Sequence, residues 1–318
     1  MQQREIYILG TGIVTPHGEQ QDALPDGASA SQIVGSSPLT DTDGLTRFVP
    51  KRALRRIDHF SRLALYAAFL ALEDAGLMEN DLTETGISLA SGFGAAQTTF
   101  NFLDSFLDDG DRLASPTHFS SGLHNAAAAY IAMQTKAQGP SVCTSNVGLG
   151  PAYALSTAVY WLQHGMADYV LVGGVDEHCQ VLEHCVNHFQ SSAEQACLLS
   201  DAVAGEGAAF MVLSTRAESV PICKLTDITM LPFAEQQIGS TAPLILSSLG
   251  SVEQHHLFAQ YSDAANVTDV LPVLGIHPSA LAFSTVQAAR NIASNKYTRA
   301  QTLGADALQH SALITLER

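Results

Sequence analysis

The chain has 318 residues, 46% of them hydrophobic and only 14% charged, with a net charge of −16 from 15 basic and 31 acidic side chains. That length buries a large core, as one domain or as two halves. The acidic balance argues against nucleic acid or an anionic membrane as a partner, and the low charge content points to an extensive covered face such as a subunit interface.

Five cysteines (143, 179, 185, 197 and 223) form no CxxC pair, and an odd number argues against a disulfide framework. Ile6 to Leu9 is too short for a signal peptide and Gly10 interrupts it; no apolar run reaches membrane-spanning length. A cytoplasmic location is expected.

The first predicted strand is Ile6 to Leu9, followed by a turn at Gly10-Thr11-Gly12. A nucleotide-binding loop is not indicated, because Thr15 stands where the third glycine of GxGxxG belongs. Residues 19–50 read as a polar surface loop. Lys51, Arg52, Arg55, Arg56 and Arg62 form the one dense basic cluster, ahead of an Ala-rich helix from Leu63 to Leu77. A buried strand follows at Ile87 to Ser91, then a helix over 97–113. Asp104, Asp108, Asp109 and Asp111 crowd that helix end without EF-hand spacing, which reads as a solvated acidic face. Another helix, Asn125 to Gln134, has a small Ala126–Ala129 face suited to close packing.

Residues 139–174 carry the strongest local signal. Ser141 to Ser145 is β-prone, Gly148 and Gly150 permit a sharp turn, and Ala154, Leu155, Ala158, Val159 and Leu162 recur at helical spacing. Gly165 closes that helix, and Tyr169 to Val172 reads as a buried strand. Corners of this kind commonly hold a nucleophile at the helix N-terminus, where free amides favour a developing anion.

Beyond it, His178, Cys179, His184, Cys185 and His188 crowd together. His184 and His188 share a helix face, but no third ligand follows at a recognised spacing, so no metal site is assigned. Ala209 to Leu213 should be a core strand ending the first half. The remainder predicts strands at Ile222 to Met230, Leu244 to Leu246 and Ala312 to Leu316. Helices are predicted over Val252 to Ala265 and Leu274 to Ser294.

The corner resembles that of the β-ketoacyl synthases of the thiolase superfamily. It shares Gly139-Pro140, then Gly165, Ala167 and Asp168, and the strand ending in Gly173-Gly174. Other segments are similar too: Gly10 to Gly18, Arg56 to Leu77, Ser115 to Pro140, and Gly205-Glu206-Gly207-Ala208. The resemblance implies an α/β fold, the layered αβαβα thiolase arrangement, with two related halves at 1–218 and a shortened 219–318.

At the family's spacing, both Gly173 and Gly139-Pro140 place the nucleophile at residue 148, which is glycine. The first histidine motif would fall at Ser247 to Ser251, which has none; Gly275-Ile276-His277 matches the second imperfectly. The glycine-rich loop before the last strand is replaced by Leu303 to Leu308. Cys143 and His277 remain as candidate catalytic residues; no cofactor and no metal are implied.

By this resemblance the chain is a non-catalytic copy, like the chain-length factors of type II polyketide and aryl-polyene systems. It would pair with an active ketosynthase and wall its acyl tunnel, with an acyl carrier protein reached through that partner. The interface would include Val142, Cys143, Thr144, Ser145, Asn125 and Ala128. The alternatives are an acyltransferase using Cys143, and a homodimer that binds an acyl chain without chemistry.

Overall fold

The structure, a computed structural model, describes residues 4–24, 39–110, 112, 114–191, 198–199, 203–217, 220–238, 242–261 and 266–318. Asp111, Cys197, the 218/219 division and the end of the predicted Val252 to Ala265 helix lie outside the described residues.

β1 (Ile6–Thr15) is two and a half times its predicted length and runs straight through Gly10 and Gly12. The turn expected there is replaced by close packing. A Cβ on Gly12 would stand 2.0 Å from the Ala67 carbonyl oxygen, and one on Gly10 2.4 Å from that of Ala71. The two glycines let a helix lie directly against the strand.

The first half continues with β2 (Gly18–Glu19), α1 (Lys51–Leu54), α2 (His59–Asp74), β3 (Thr85–Ser91), α3 (Ala96–Asp109) and α4 (Pro116–Ser121). It closes with α5 (Ala126–Thr135), β4 (Ser141–Ser145), α6 (Gly150–Gln163), β5 (Tyr169–Asp176), α7 (Gln180–Ser191) and β6 (Gly207–Ser214). α2 is the helix packed on β1. It begins four residues before its prediction because the Asp58 side chain caps it, accepting from the Ser61 amide at 2.9 Å.

The second half contains β7 (Cys223–Pro232), β8 (Leu244–Ser247), α8 (Val252–Ala259), β9 (Val267–Asp269), α9 (Leu271–Leu274), α10 (Ala280–Ala293), β10 (Arg299–Ala305) and β11 (His310–Glu317). The helix predicted over Leu274 to Ser294 begins only at Ala280: Leu274 is the last residue of the short α9, and Gly275, at φ +77°, and Pro278 separate the two. β10 was not predicted. Its Leu303 to Ala305 segment, read as loop, is the end of a buried strand in a tight hairpin with β11.

The strands join in the order β4-β3-β5-β6-β1-β7-β11-β10-β8-β9. Each half is therefore a five-stranded unit of the same internal order and directions. β6 and β11 run antiparallel to both neighbours, and the units meet along β1 and β7. α2 and α5 cover the outer face of the first half. α10 packs on β10 and β8 of the second half and on β1 and β6 of the first, so it lies between the two.

This is the layered thiolase-like arrangement, with the second half shortened. Among the described residues, only a 3-10 turn at Phe233–Glu235 stands between β7 and β8, where the first half carries α1 and α2. The outer face there keeps a small core of Phe233, Leu246, Phe258, Leu303 and Leu313.

Candidate functional site

The corner between β4 and α6 faces the second half. Gly148 has φ +95°, a conformation that strains a residue with a side chain. A Cβ built on it would stand 2.9 Å from the Ala305 carbonyl oxygen and 3.0 Å from Leu249 Cδ1. Its N–H donates to the Pro278 carbonyl at 2.9 Å, and the Leu149 N–H donates to Asn146 Oδ1 at 3.0 Å. Pro151 has no N–H to offer. The corner thus presents neither a nucleophile nor a free Gly148 amide for an oxyanion.

The second half is tied to this corner by polar clamps. Gln254 is buried; its Nε2 donates to the Ala305 carbonyl at 2.9 Å, and its Oε1 accepts from the Leu249 amide. Asp176, at the end of β5, accepts from Ser91 Oγ at 2.8 Å, the Gly92 and Phe93 amides at 2.9 Å, and Ser279 Oγ at 2.8 Å. The Ser279 bond crosses from the end of β5 to the start of α10; the other Asp176 bonds stay within the first half and those of Gln254 within the second.

His277 is fully buried within that knot. Its Nδ1 accepts from the Ser279 amide at 3.2 Å and its Nε2 donates to the Gly207 carbonyl at 3.3 Å, an arrangement that fits the neutral ring. Burial lowers its pKa against the pull of Asp176. The candidate histidine is a structural tie with both nitrogens engaged. Ser248, where the other histidine motif was expected, donates to the half-buried Asp269, whose carboxyl pKa desolvation raises.

An apolar cavity of about 300 Å³ opens in front of Gly148, walled by Phe93, Val147, Leu182, Val186, Ile276 and Pro278. Glu177 lines it. Desolvation pushes the Glu177 carboxyl up to about 7, against a bond from the Gln97 amide to Oε1 at 2.8 Å and the field of His59. Beside it, Glu206 accepts from the Thr40 and His178 amides and from His59 Nε2 at 3.2 Å. Burial opposes both charges of that pair. Their mutual bond and attraction outweigh it, so the His59 pKa lies above its ordinary value and that of Glu206 below. This cluster was not found in the sequence, where Glu206 appeared only within a glycine-rich motif, His59 only within the Arg56 to Leu77 segment, and Glu177 was not singled out.

Cys143 lies elsewhere. Val142 packs with α6, whereas Cys143 points to the opposite face, among α5 and α2. Desolvation pushes its thiol up to about 12, with Asp176 adding to the shift. The cysteine that lines the cavity is Cys185, on α7.

Of the predicted interface residues, Val142 to Ser145 form an edge strand with β3 on one side only, and Asn125 is exposed before α5. Ala128 is buried against α2 in its own chain's core, 1% exposed, because the small face of α5 is used internally. The His184 and His188 rings stack 6.5 Å apart on α7. Among the described residues, no group of three or more His, Cys, Asp or Glu is placed to hold a metal ion, and no helix is long and apolar enough to cross a membrane.

A duplicated five-stranded unit with a strand–turn–helix corner buried between its halves defines a thiolase-like protein of the ketosynthase kind. Residues 24–219, more than half of the chain, match the model of the β-ketoacyl synthase N-terminal domain, and the chain belongs to that family. It is 24% identical over 193 residues to 3-oxoacyl-(acyl-carrier-protein) synthase 2 of Synechocystis sp., covering 55% of this chain and 46% of the relative. It is 26% identical over 247 residues to the Rhizobium meliloti enzyme of the same name, covering 66% and 59%. The chain thus spans about half the length of the curated relatives it matches.

Two solved structures share the fold. One is the ishigamide ketosynthase/chain length factor, with TM-score 0.78 and 18% identity over 98% of this chain and 99% of that one. The other is a type II polyketide acyl carrier protein in complex with its ketosynthase bound to the hexaketide, with TM-score 0.77 and 18% identity over 99% of each chain.

Proposed function

We propose that this chain is a ketosynthase-like subunit that performs no condensation itself and pairs with an active ketosynthase, whose acyl tunnel it helps to shape. The observation that carries this reading is the Gly148 corner. It has no side chain, no room for one beside Ala305, and an amide already bonded to Pro278. Condensation needs an activated nucleophile and an oxyanion hole, and both are compromised at one residue.

The partner is inferred from the surface. β4 is an open sheet edge, and large apolar side chains lie exposed on the elements of the same half: Phe106 and Leu107 on α3, Phe119 on α4, Met133 on α5 and Tyr160 on α6. An open edge with so much exposed apolar surface fits a face covered by another chain. The fold shared with a ketosynthase/chain length factor supports the choice of partner, and the acidity of this chain favours carrier-protein contact on the partner's side.

Coexpression with a Cys-bearing ketosynthase from the same gene neighbourhood tests the reading. A copurifying heterodimer is expected. A monodisperse monomer, both alone and in the mixture, would overturn it.

A further inference from the structure

We propose that the outer face of the second half holds a binding site for a small primary ammonium with a short aliphatic stem. The site is a groove of about 760 Å³ across β7, β11 and β10, bounded by Glu235, Gln237 and Ile238. It lies where the first half carries α2, away from the Gly148 corner. Gln301 stands four residues before Ala305 on β10, roughly 13 Å along the strand. The inference does not depend on the partner reading.

Strand register sets out the groove floor. Gln301 is opposite Thr315 and Thr315 is opposite Asp227, so the three form a row across β10, β11 and β7. The next row on the same face holds Leu303, Leu313 and Thr229. In the row on the other side, Arg299 is opposite Glu317 and paired with it at 3.2 Å. On the matching face of the first half, β5 and β6 present Leu171, Val212 and Phe210 to α2. The uncovered floor is polar where the covered one is apolar.

Two observations give that floor a ligand preference. Gln301 is 3% exposed, yet its Oε1 has no hydrogen-bond partner among the described residues. Its Nε2 donates to Thr315 Oγ1 at 3.3 Å, a long bond. A buried acceptor left unpaired is costly, and the last torsion of glutamine is soft, so a small turn brings the oxygen to the groove.

The second observation is charge. Asp227, Glu235 and Glu317 line the groove, against Arg299 as its one cation. Asp227 accepts from Thr229 through Oδ2, which leaves Oδ1 to the groove. An ammonium brings a positive charge and three N–H donors, matching a carboxylate and an amide oxygen together. Leu231, Leu313 and Ile238 line the same groove and give an alkyl stem apolar contact. A carboxylate ligand meets like charge, and a quaternary ammonium has no N–H for Gln301.

The test titrates the purified chain, together with its partner where the two copurify, with n-pentylamine, tetramethylammonium and pentanoate at low salt. Calorimetry should show pentylamine binding, tetramethylammonium about tenfold weaker, and no response to pentanoate. In two-dimensional NMR the side-chain amide resonance of Gln301, assigned by its absence from Gln301→Leu, should shift with pentylamine. Asp227→Asn changes an exposed side chain without changing its shape, and should weaken pentylamine about tenfold. Gln301→Leu should do the same; if this buried change unfolds the chain, Asp227→Asn carries the test.

Failure of pentylamine to bind overturns the proposal. So does equal binding of tetramethylammonium, or affinity unchanged in Asp227→Asn. Binding of pentanoate instead would show that the Gln301 amide presents its N–H, and would also overturn it. A response to a tetralysine peptide with none to pentylamine would assign the groove to a protein partner and defeat the small-ligand reading.

Discussion

The Gly148 amide donates to the Pro278 carbonyl at 2.9 Å, joining the helix corner of the first half to the turn before the central helix of the second. In a condensing site a corner amide of this kind points at the reacting carbonyl oxygen. Here it serves the interface between halves. The same turn carries His277, whose two nitrogens are also spent on backbone groups. The Gly148 amide and both His277 nitrogens are thus engaged with backbone groups in this structure.

The first prediction concerns the thiols. With its pKa pushed up to about 12, Cys143 is a thiolate in roughly one molecule in 10⁵ at pH 7. Incubation with a labelled acyl-carrier thioester should leave the intact mass unchanged. An adduct mapped to Cys143 would favour the acyltransferase reading.

Restoring the thiol should not restore the reaction. In Gly148→Cys the new Cβ meets the Ala305 oxygen at 2.9 Å in a left-handed conformation, a strain of about 1–3 kcal/mol. The variant should melt a few degrees lower and remain inactive by itself. Condensation by it alone would show that the second half supplies groups not identified here.

Much of the first half was legible in the sequence, because long periodic segments and punctuating glycines mark it. Ser141 to Ser145 and the Gly165 stop fall where expected. Gly10 and Gly12 misled because glycine at a helix contact and glycine in a turn read alike without the partner helix. β10 was missed since Gln301, Thr302 and Gly304 interrupt an apolar pattern, although all are buried between neighbouring strands. The Glu177 cluster joins residues from α2, the turn after β5 and the approach to β6, and no local spacing records such a meeting.

Glu177 should also shape stability. Its folded pKa of about 7 lies above the ordinary 4.5, so its contribution is fully present below the unfolded value and is lost as pH rises through 7. Above pH 7 the buried charge costs up to roughly 3 kcal/mol, at about 1.36 kcal/mol per pKa unit. Glu177→Gln should therefore be more stable than the parent at pH 8 and close to it at pH 5. Urea denaturation at the two pH values reads this directly; an equal gain or loss at both would remove the role of its charge.

The last prediction concerns the β4 edge. The flanking bonds, Ile87 N–H to the Pro140 carbonyl and Asn146 N–H to the Ser91 carbonyl, fix which residues of β4 face β3. In a parallel ladder the bonding residues alternate, so 140, 142, 144 and 146 turn their backbone groups inward and 141, 143 and 145 turn theirs to the open edge. Thr144→Pro would remove a donor used within the chain, and the buried Ala128→Trp would overpack the core beside α2. Both would damage the fold before any interface. Cys143→Pro removes an edge donor that only a partner strand would use, a position an edge strand tolerates. Met133→Asp, 60% exposed on α5, places a charge on the apolar surface without touching the core. If another chain covers this face, each variant should keep its far-ultraviolet circular dichroism and lose the dimer in size-exclusion chromatography with light scattering. Loss of the folded signal together with the dimer in Met133→Asp would mean that α5 serves its own chain rather than a partner.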